Sequence, residues 1–274
     1  MTKQWTLDKG WTDIKDTKEK VDVLENNKEK LRVDFDVYKS KSYDYGYVEK
    51  FLSYKGEKTP HKAIIKNGEY IGIVGRCYSL IQNELVLSKV ESIAKERNLQ
   101  LNTMYYGWRM YCILTDVNNE VGVVVSNSVD GTVALRCDAL VISDTYNSLI
   151  VGSKIRNIYR RHSANLTVNN LHKEIEEIHN SAIKYKSILE KLSNFDIDNY
   201  SDTLKDLFKN SNIPEVYSRG LLGYYYIGNK PTVKEVYENI CNRIWSKDND
   251  FRTKISLYRK VNDCFFTLGI IDTI

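Results

Sequence analysis

Between Tyr105 and Ser143, three strand-like runs follow one another with almost no chain between them. They are Tyr105–Thr115, Val121–Asn127 and Thr132–Ser143, all rich in Val, Ile, Tyr and Thr. The joins are Asp116–Glu120 and Ser128–Gly131. Joins this short cannot hold the crossover of about a dozen residues that parallel neighbours need, so the runs pair antiparallel in chain order. Downstream, residues 166–192 carry Val168, Leu171, Ile175, Ile178, Ala182, Tyr185, Leu189 and Leu192 in steps of three and four. That spacing draws one apolar stripe along a helix of about 40 Å at 1.5 Å per residue. The stripe predicts a helix laid across the sheet. Steps of three and four also fit a coiled-coil seam between two copies, and both readings stay open.

The remaining elements complete an α+β pattern. Leu31, Val33, Phe35 and Val37 alternate with polar residues over Leu31–Tyr38, the period of a half-buried strand. Residues 39–60, with Tyr43, Tyr45, Gly46 and Tyr47, read as a loop. Lys62–Lys66 and Tyr70–Val74 flank Asn67-Gly68, a strong two-residue hairpin signal. Asn83 is placed to cap a helix from Glu84 to Arg97, whose apolar positions repeat at helical spacing. Beyond residue 200 the pattern is helical over 201–210, 214–226, 231–245 and 251–266, with Pro214 and Pro231 at first-turn positions. Strands first and helices later predict α+β: an antiparallel sheet with a long packed helix and a C-terminal helical region. The expected division is 1–195 for the core and 196–274 for the helices.

Composition excludes several classes. The chain holds only 3 Pro and no low-complexity tract, which argues against a long disordered linker. Its 5 Cys are scattered without a CxxC pair, so neither a zinc ribbon nor a redox motif is supported, and a reducing cytoplasm is expected, the host's if the protein is viral. Met1–Gly10 has no apolar signal core, and no run approaches the roughly 18 apolar residues of a membrane span. Among the 4 His, His172 and His179 lie seven apart, two helical turns, too far for one metal. There is no GxSxG elbow, Walker loop or GxGxxG, so neither an enzyme class nor a cofactor is assigned.

Two constellations could still carry chemistry. Asp116, Asp130, Asp138 and Asp144 lie on or beside the central strands, where carboxylates can hold Mg²⁺ for phosphoryl chemistry; the same positions suit Asp as a turn residue. Lys154, Arg156, Tyr159, Arg160, Arg161 and His162 fall within nine residues. Arg presents a planar fork to phosphate and Tyr can stack on a base, so this cluster points to nucleic acid. Tyr78 is a second candidate for stacking, and Arg109, with Lys62, Lys66 and Arg76, could extend the positive surface. The net charge of +4 permits such a partner without demanding one.

Three short motifs add a resemblance. Tyr78-Ser-Leu-Ile-Gln82-Asn83, Asp130-Gly131-Thr-Val-Ala-Leu-Arg136 and Arg161-His162-Ser163 are similar, in order and spacing, to a family of phage- and plasmid-like proteins known as domain of unknown function 932. Ile71–Gly75 fits the approach to the first motif, and the likeness extends over about 60–260. The chain departs from the family at Asp144-x-x-Asn147, where a Cys followed by Asn is common. Tyr237-x-x-Ile240 resembles a degraded form of the family's Trp-centred helix. The resemblance implies a viral or mobile-element origin and supplies no activity. A sheet meander followed by a long helix is also similar, in architecture alone, to phage single-strand annealing proteins.

The expectation is a nucleic-acid-binding protein of a phage or plasmid, favouring single-stranded DNA in recombination or replication and more readily a binder than an enzyme. Lys154, Arg156, Arg160 and Arg161 would meet phosphates and Tyr78 and Tyr159 would meet bases. Asn127, Asp130 and Gly131 would shape the adjacent turn. The competing expectation is an oligomeric assembly protein that uses the 168–192 stripe and Tyr217, Tyr224, Tyr225 and Tyr226 as its contact surface.

Overall fold

A computed structural model describes residues 2–6, 10–14, 36–218 (apart from 117, 119, 144, 147, 164 and 165) and 230–268. The protein is α+β. The strands are β1 (Thr2–Thr6), β2 (Gly10–Ile14), β3 (Asp36–Ser42), β4 (Tyr47–Tyr54), β5 (Glu57–Lys66), β6 (Glu69–Gly75), β7 (Gln100–Tyr106), β8 (Arg109–Thr115), β9 (Val121–Ser128), β10 (Leu135–Ile142) and β11 (Leu149–Arg160). The helices are α1 (Asn83–Arg97), α2 (Leu171–Lys191), α3 (Ser201–Asn210), α4 (Glu215–Ser218), α5 (Val233–Ser246) and α6 (Phe251–Thr267). They build a five-stranded sheet in the order β11-β10-β9-β8-β7, a four-stranded sheet β3-β4-β5-β6, and the β1–β2 hairpin. Every strand pair is antiparallel, as the short joins dictate.

The three central strands of the five-stranded sheet, β8, β9 and β10, are buried on both faces, and β9 is buried at every residue. Strands covered on two sides need continuous rather than alternating apolar character, and Val121–Val125 supplies it. One face carries α1 and α2, which are tied to each other by an Arg97–Glu176 ion pair. On the other face α6 sets Phe251 edge-on to Tyr111 and Arg259 against Asp138. Helix α6 also closes the outer edge of β11, where Tyr258 donates to the Leu149 carbonyl and Asn262 to the Val151 carbonyl. Those edge carbonyls would otherwise invite another strand. Val168, Leu171, Ile175, Ile178, Ala182, Tyr185, Leu189 and Leu192 are all buried in this core together with residues of α5 and α6. The stripe is therefore core, and it presents no open seam to a second copy. No helix among the described residues is long and apolar enough to cross a membrane.

Several local expectations need correcting. The run from Tyr105 to Thr115 is the end of a hairpin, β7–β8, because Gly107 takes φ +59° and reverses the chain. Residues 39–60 hold β4 and the start of β5 rather than a loop. Their register slips between Phe51 and Ser53, and this bulge breaks the alternation that would have marked the strand. The strand over Thr132–Ser143 starts only at Leu135, after a loop. Asn83 does not cap α1: Gln82 occupies the cap position without a side-chain bond, and Asn83 turns inward. The Asn67-Gly68 hairpin forms as read. Pro231 precedes the cap rather than entering the helix; Thr232 and Glu235 form a reciprocal capping box for α5. Leu31–Phe35 and Tyr224–Tyr226 lie outside the described residues, and Tyr217 is buried, with its hydroxyl bonded by Asn249.

Candidate nucleic-acid interface

The basic cluster lies on a strand rather than a loop, and the two-residue period of that strand divides it. Tyr159 pairs with Arg136 and shares the α6 face, exposed at 53%, with the Arg136 guanidinium 5.8 Å from its ring centre. Arg160 points to the opposite face and pairs with the buried Glu174 of α2, so its charge is neutralised. Arg161, just past the strand, is exposed. Between Gly152 and Asn157 the register jumps, leaving residues 153–156 as a bulge unpaired with β10. Lys154 and Arg156 belong to that bulge, and their side chains lie outside the described residues.

The motif residues gather elsewhere, at the seam between the two sheets. The Tyr78 ring stacks on His162 at 4.8 Å, and its hydroxyl donates to the Ser128 carbonyl. The His162 Nδ1–H donates to the Ser79 carbonyl at 2.9 Å, and the Ser79 amide returns a bond to the His162 carbonyl. Gln82 donates to the Asp44 carbonyl. Asn127, fully buried on β9, donates to the Ile81 carbonyl and to Asn83 Oδ1, while Asn83 donates to the Trp108 carbonyl. Asp130 accepts from the Thr132 amide and hydroxyl, closing the turn in which Gly131 takes φ +77°. A Cβ on Gly131 would stand 3.1 Å from Val74 and 3.4 Å from Tyr78, so glycine fits this turn on both counts. Beneath it Tyr47, Ile64, Val74, Leu80 and Val129 form a small separate core.

This arrangement overturns several assigned contacts. Tyr78 has one ring face and its hydroxyl engaged inside the protein, and His162 is buried, so neither offers the surface assigned to it. Lys62 is buried, bonded to Glu49 at 2.6 Å and to the Tyr78 carbonyl at 2.6 Å; Lys66 pairs with Glu84. Arg109 donates to the Thr132 hydroxyl and lies 3.9 Å from Asp250. Burial works to raise the Asp130 carboxyl, but bonds from Thr132 and Ser128 and the Arg109 charge overcome it and hold it below the usual range. Burial pushes the His162 ring below its ordinary value, with the Ser79 and Val133 backbone opposing.

Asp138 was read as a candidate Mg²⁺ ligand and Arg136 only as the end of a motif, while Arg259 and Tyr111 were not singled out from the sequence. Asp138, with no exposure, accepts two bonds from Arg136 Nε at 2.8 and 2.7 Å and one from Arg259 at 3.3 Å. Two guanidiniums on this carboxylate leave it no role as a metal ligand. Tyr111 completes the set. The available signal was Arg136 itself, two residues before Asp138 on one strand and hence on the same face. Among the described residues no group of three or more His, Cys, Asp or Glu could hold a metal. No family profile, curated protein or solved structure matches the chain.

Proposed function

We propose that this chain binds nucleic acid, with a preference for single strands, and that it is encoded by a phage or plasmid, as its motifs suggest. The supporting observation is the exposed Tyr159 ring backed by the Arg136 guanidinium, beside the exposed Arg161 and the bulge of Lys154 and Arg156. A ring held by a cation on one side and open to solvent accepts any base, while nearby arginines take the phosphates. Arg160, Tyr78 and His162 act as scaffold in this reading.

The test is anisotropy of a labelled oligothymidylate and of a duplex at low and moderate salt, with Mg²⁺ present. Affinity for the single strand should exceed that for the duplex and fall with salt. Arg161→Ala should reduce the slope of log affinity on log salt by about 0.7, one phosphate's worth. Absence of binding at low salt, or binding indifferent to salt, rejects the proposal.

A further inference from the structure

A strand at the edge of a sheet carries a row of backbone groups with no neighbour, and a folded chain covers, charges or pairs such a row. Three edges here are dealt with. Helix α6 bonds the β11 carbonyls, β1 lies against β7, and β3 presents exposed Lys39 and Lys41. The fourth edge strand, β6, is bonded to β5 alone among the described residues. It has no charge between Tyr70 and Gly75, and it exposes Tyr70 at 56% and Ile73 at 47%.

The groups on its free side follow from the register. The Arg76 amide donates to the Pro60 carbonyl, so Arg76, Val74 and Gly72 turn their backbone groups toward β5. Ile73 and Gly75 turn theirs outward. The Tyr78 amide donates to the Gly75 carbonyl at 2.9 Å, which leaves both backbone groups of Ile73 and the Gly75 amide without a partner among the described residues. Ile73 lies opposite Ala63 of β5, Glu69 lies opposite Lys66, and Arg76 joins Pro60. Lys66 and Pro60 each stand three residues from Ala63, because a bulge at Ile71 absorbs the extra residue of β6. Glu69 and Arg76 are therefore an equal number of ladder steps to either side of Ile73. Both are exposed, and neither has an ion pair among the described residues.

We infer that β6 is a self-association edge: a second copy of this chain pairs with it antiparallel about a twofold axis through Ile73, joining two four-stranded sheets into one. A second copy answers all of these features at once. At the axis the Ile73 N–H of each copy donates to the Ile73 carbonyl of the other, and the two exposed side chains meet on one face. The uncharged stretch sets no like charges in register. Three steps out, Glu69 of each copy meets Arg76 of the other, and the twofold repeats this acid–base contact at both ends. Strand β3 has no such self-complement, since an antiparallel pairing about Ser40 would set Lys39 against Lys41. The pairing does not rest on the nucleic-acid reading above.

Sedimentation velocity of the full chain tests this, read together with hydrogen exchange at the Ile73 amide. One strand pair is a small contact, so a monomer–dimer equilibrium should appear between about 1 and 200 µM. Exchange at Ile73 should slow as the dimer forms. Ile73→Lys sets two ammonium groups at the axis. Because the side chain is half exposed, the variant should melt like wild type and stay monomeric throughout. Arg76→Glu sets acid on acid at both ends and should weaken the dimer roughly tenfold, and Glu69→Arg should do the same with base on base. The double variant Glu69→Arg/Arg76→Glu should return the dimer to wild-type strength. A monomer at every concentration overturns the pairing, as does a dimer indifferent to Ile73→Lys or a double variant no tighter than the singles. An Ile73 amide already slow in the monomer also overturns it, since the edge would then be covered within one chain.

Discussion

The seam between the sheets and the α6 face at the end of β11 both draw on Tyr, Arg and Asp, and they differ in where the bonds end. At the seam Tyr78, His162, Gln82, Asn83 and Asn127 donate to backbone or to each other and Asp130 accepts from Thr132; the buried atoms left without a partner there among the described residues, His162 Nε2 and Asn127 Oδ1, are acceptors. On the α6 face donors outnumber acceptors among the described residues: Arg136 and Arg259 divide one carboxylate, the Tyr111 hydroxyl on β8 has no partner, and Arg161 at the end of β11 is exposed. A cluster whose donors close inside the chain positions the chain, whereas one left with surplus donors is prepared for something else. A polar motif in a sequence does not distinguish these cases; the count of donors against acceptors in the folded state does.

The sharpest way to break the comparison is to leave a charge unpaired at the seam. Lys62 is 4% exposed and Glu49 1%. Lys62→Met leaves the Glu49 carboxylate buried without its cation and removes a donor to the Tyr78 carbonyl. Urea unfolding should register a loss of about 3–5 kcal/mol. Adding Glu49→Leu should restore most of it, because the loss comes from the stranded charge. A single variant as stable as wild type would mean that the seam does not depend on this pair.

Much of the fold was readable because its signals are local. The antiparallel order followed from joins too short for a crossover, and the α2 stripe followed from spacing alone. The β4–β5 strands escaped because a bulge interrupts their alternation and the first half of β5 carries exposed polar residues, Glu57, Lys58 and His61, in place of an apolar face. The candidate site was half readable. The sequence brought Tyr159 and Arg161 together with Arg160, but proximity along a chain says nothing of face: the strand sends Arg160 to Glu174 and Tyr159 to Arg136. Arg259 and Asp138 are 121 residues apart, and only the crossing of α6 over the sheet unites them.

A smaller effect at the seam depends on pH. Burial holds the folded His162 below its ordinary 6.5, whereas the unfolded ring titrates near that value. As pH falls below about 6.5, the unfolded chain takes up a proton that the folded one resists, so stability drops toward acid and is full above neutrality. His162→Phe keeps a ring against Tyr78 and removes this titration. The urea midpoint should therefore change less between pH 7.5 and pH 5.5 in the variant than in wild type. His179, also lowered by burial, leaves a residual of the same sign. Equal pH dependence in both proteins would show that His162 does not fold in its neutral form.

The smallest stability effect belongs at the other region, where the comparison predicts a reversal. Tyr159→Ala removes an exposed ring and should change stability by no more than about 0.5 kcal/mol, while weakening oligothymidylate binding by about 1–3 kcal/mol. Its chain neighbours supply the control. Arg160→Ala strands the buried Glu174 and should destabilise, with its binding loss following from the fold; Arg161→Ala should spare stability and cost affinity. Paired melting curves and anisotropy titrations on the three variants read both quantities. Should Arg160→Ala prove stable and Arg161→Ala unstable, the assignment of one arginine to structure and the other to ligand would be inverted, and the face that meets nucleic acid would be the α2 side of the sheet.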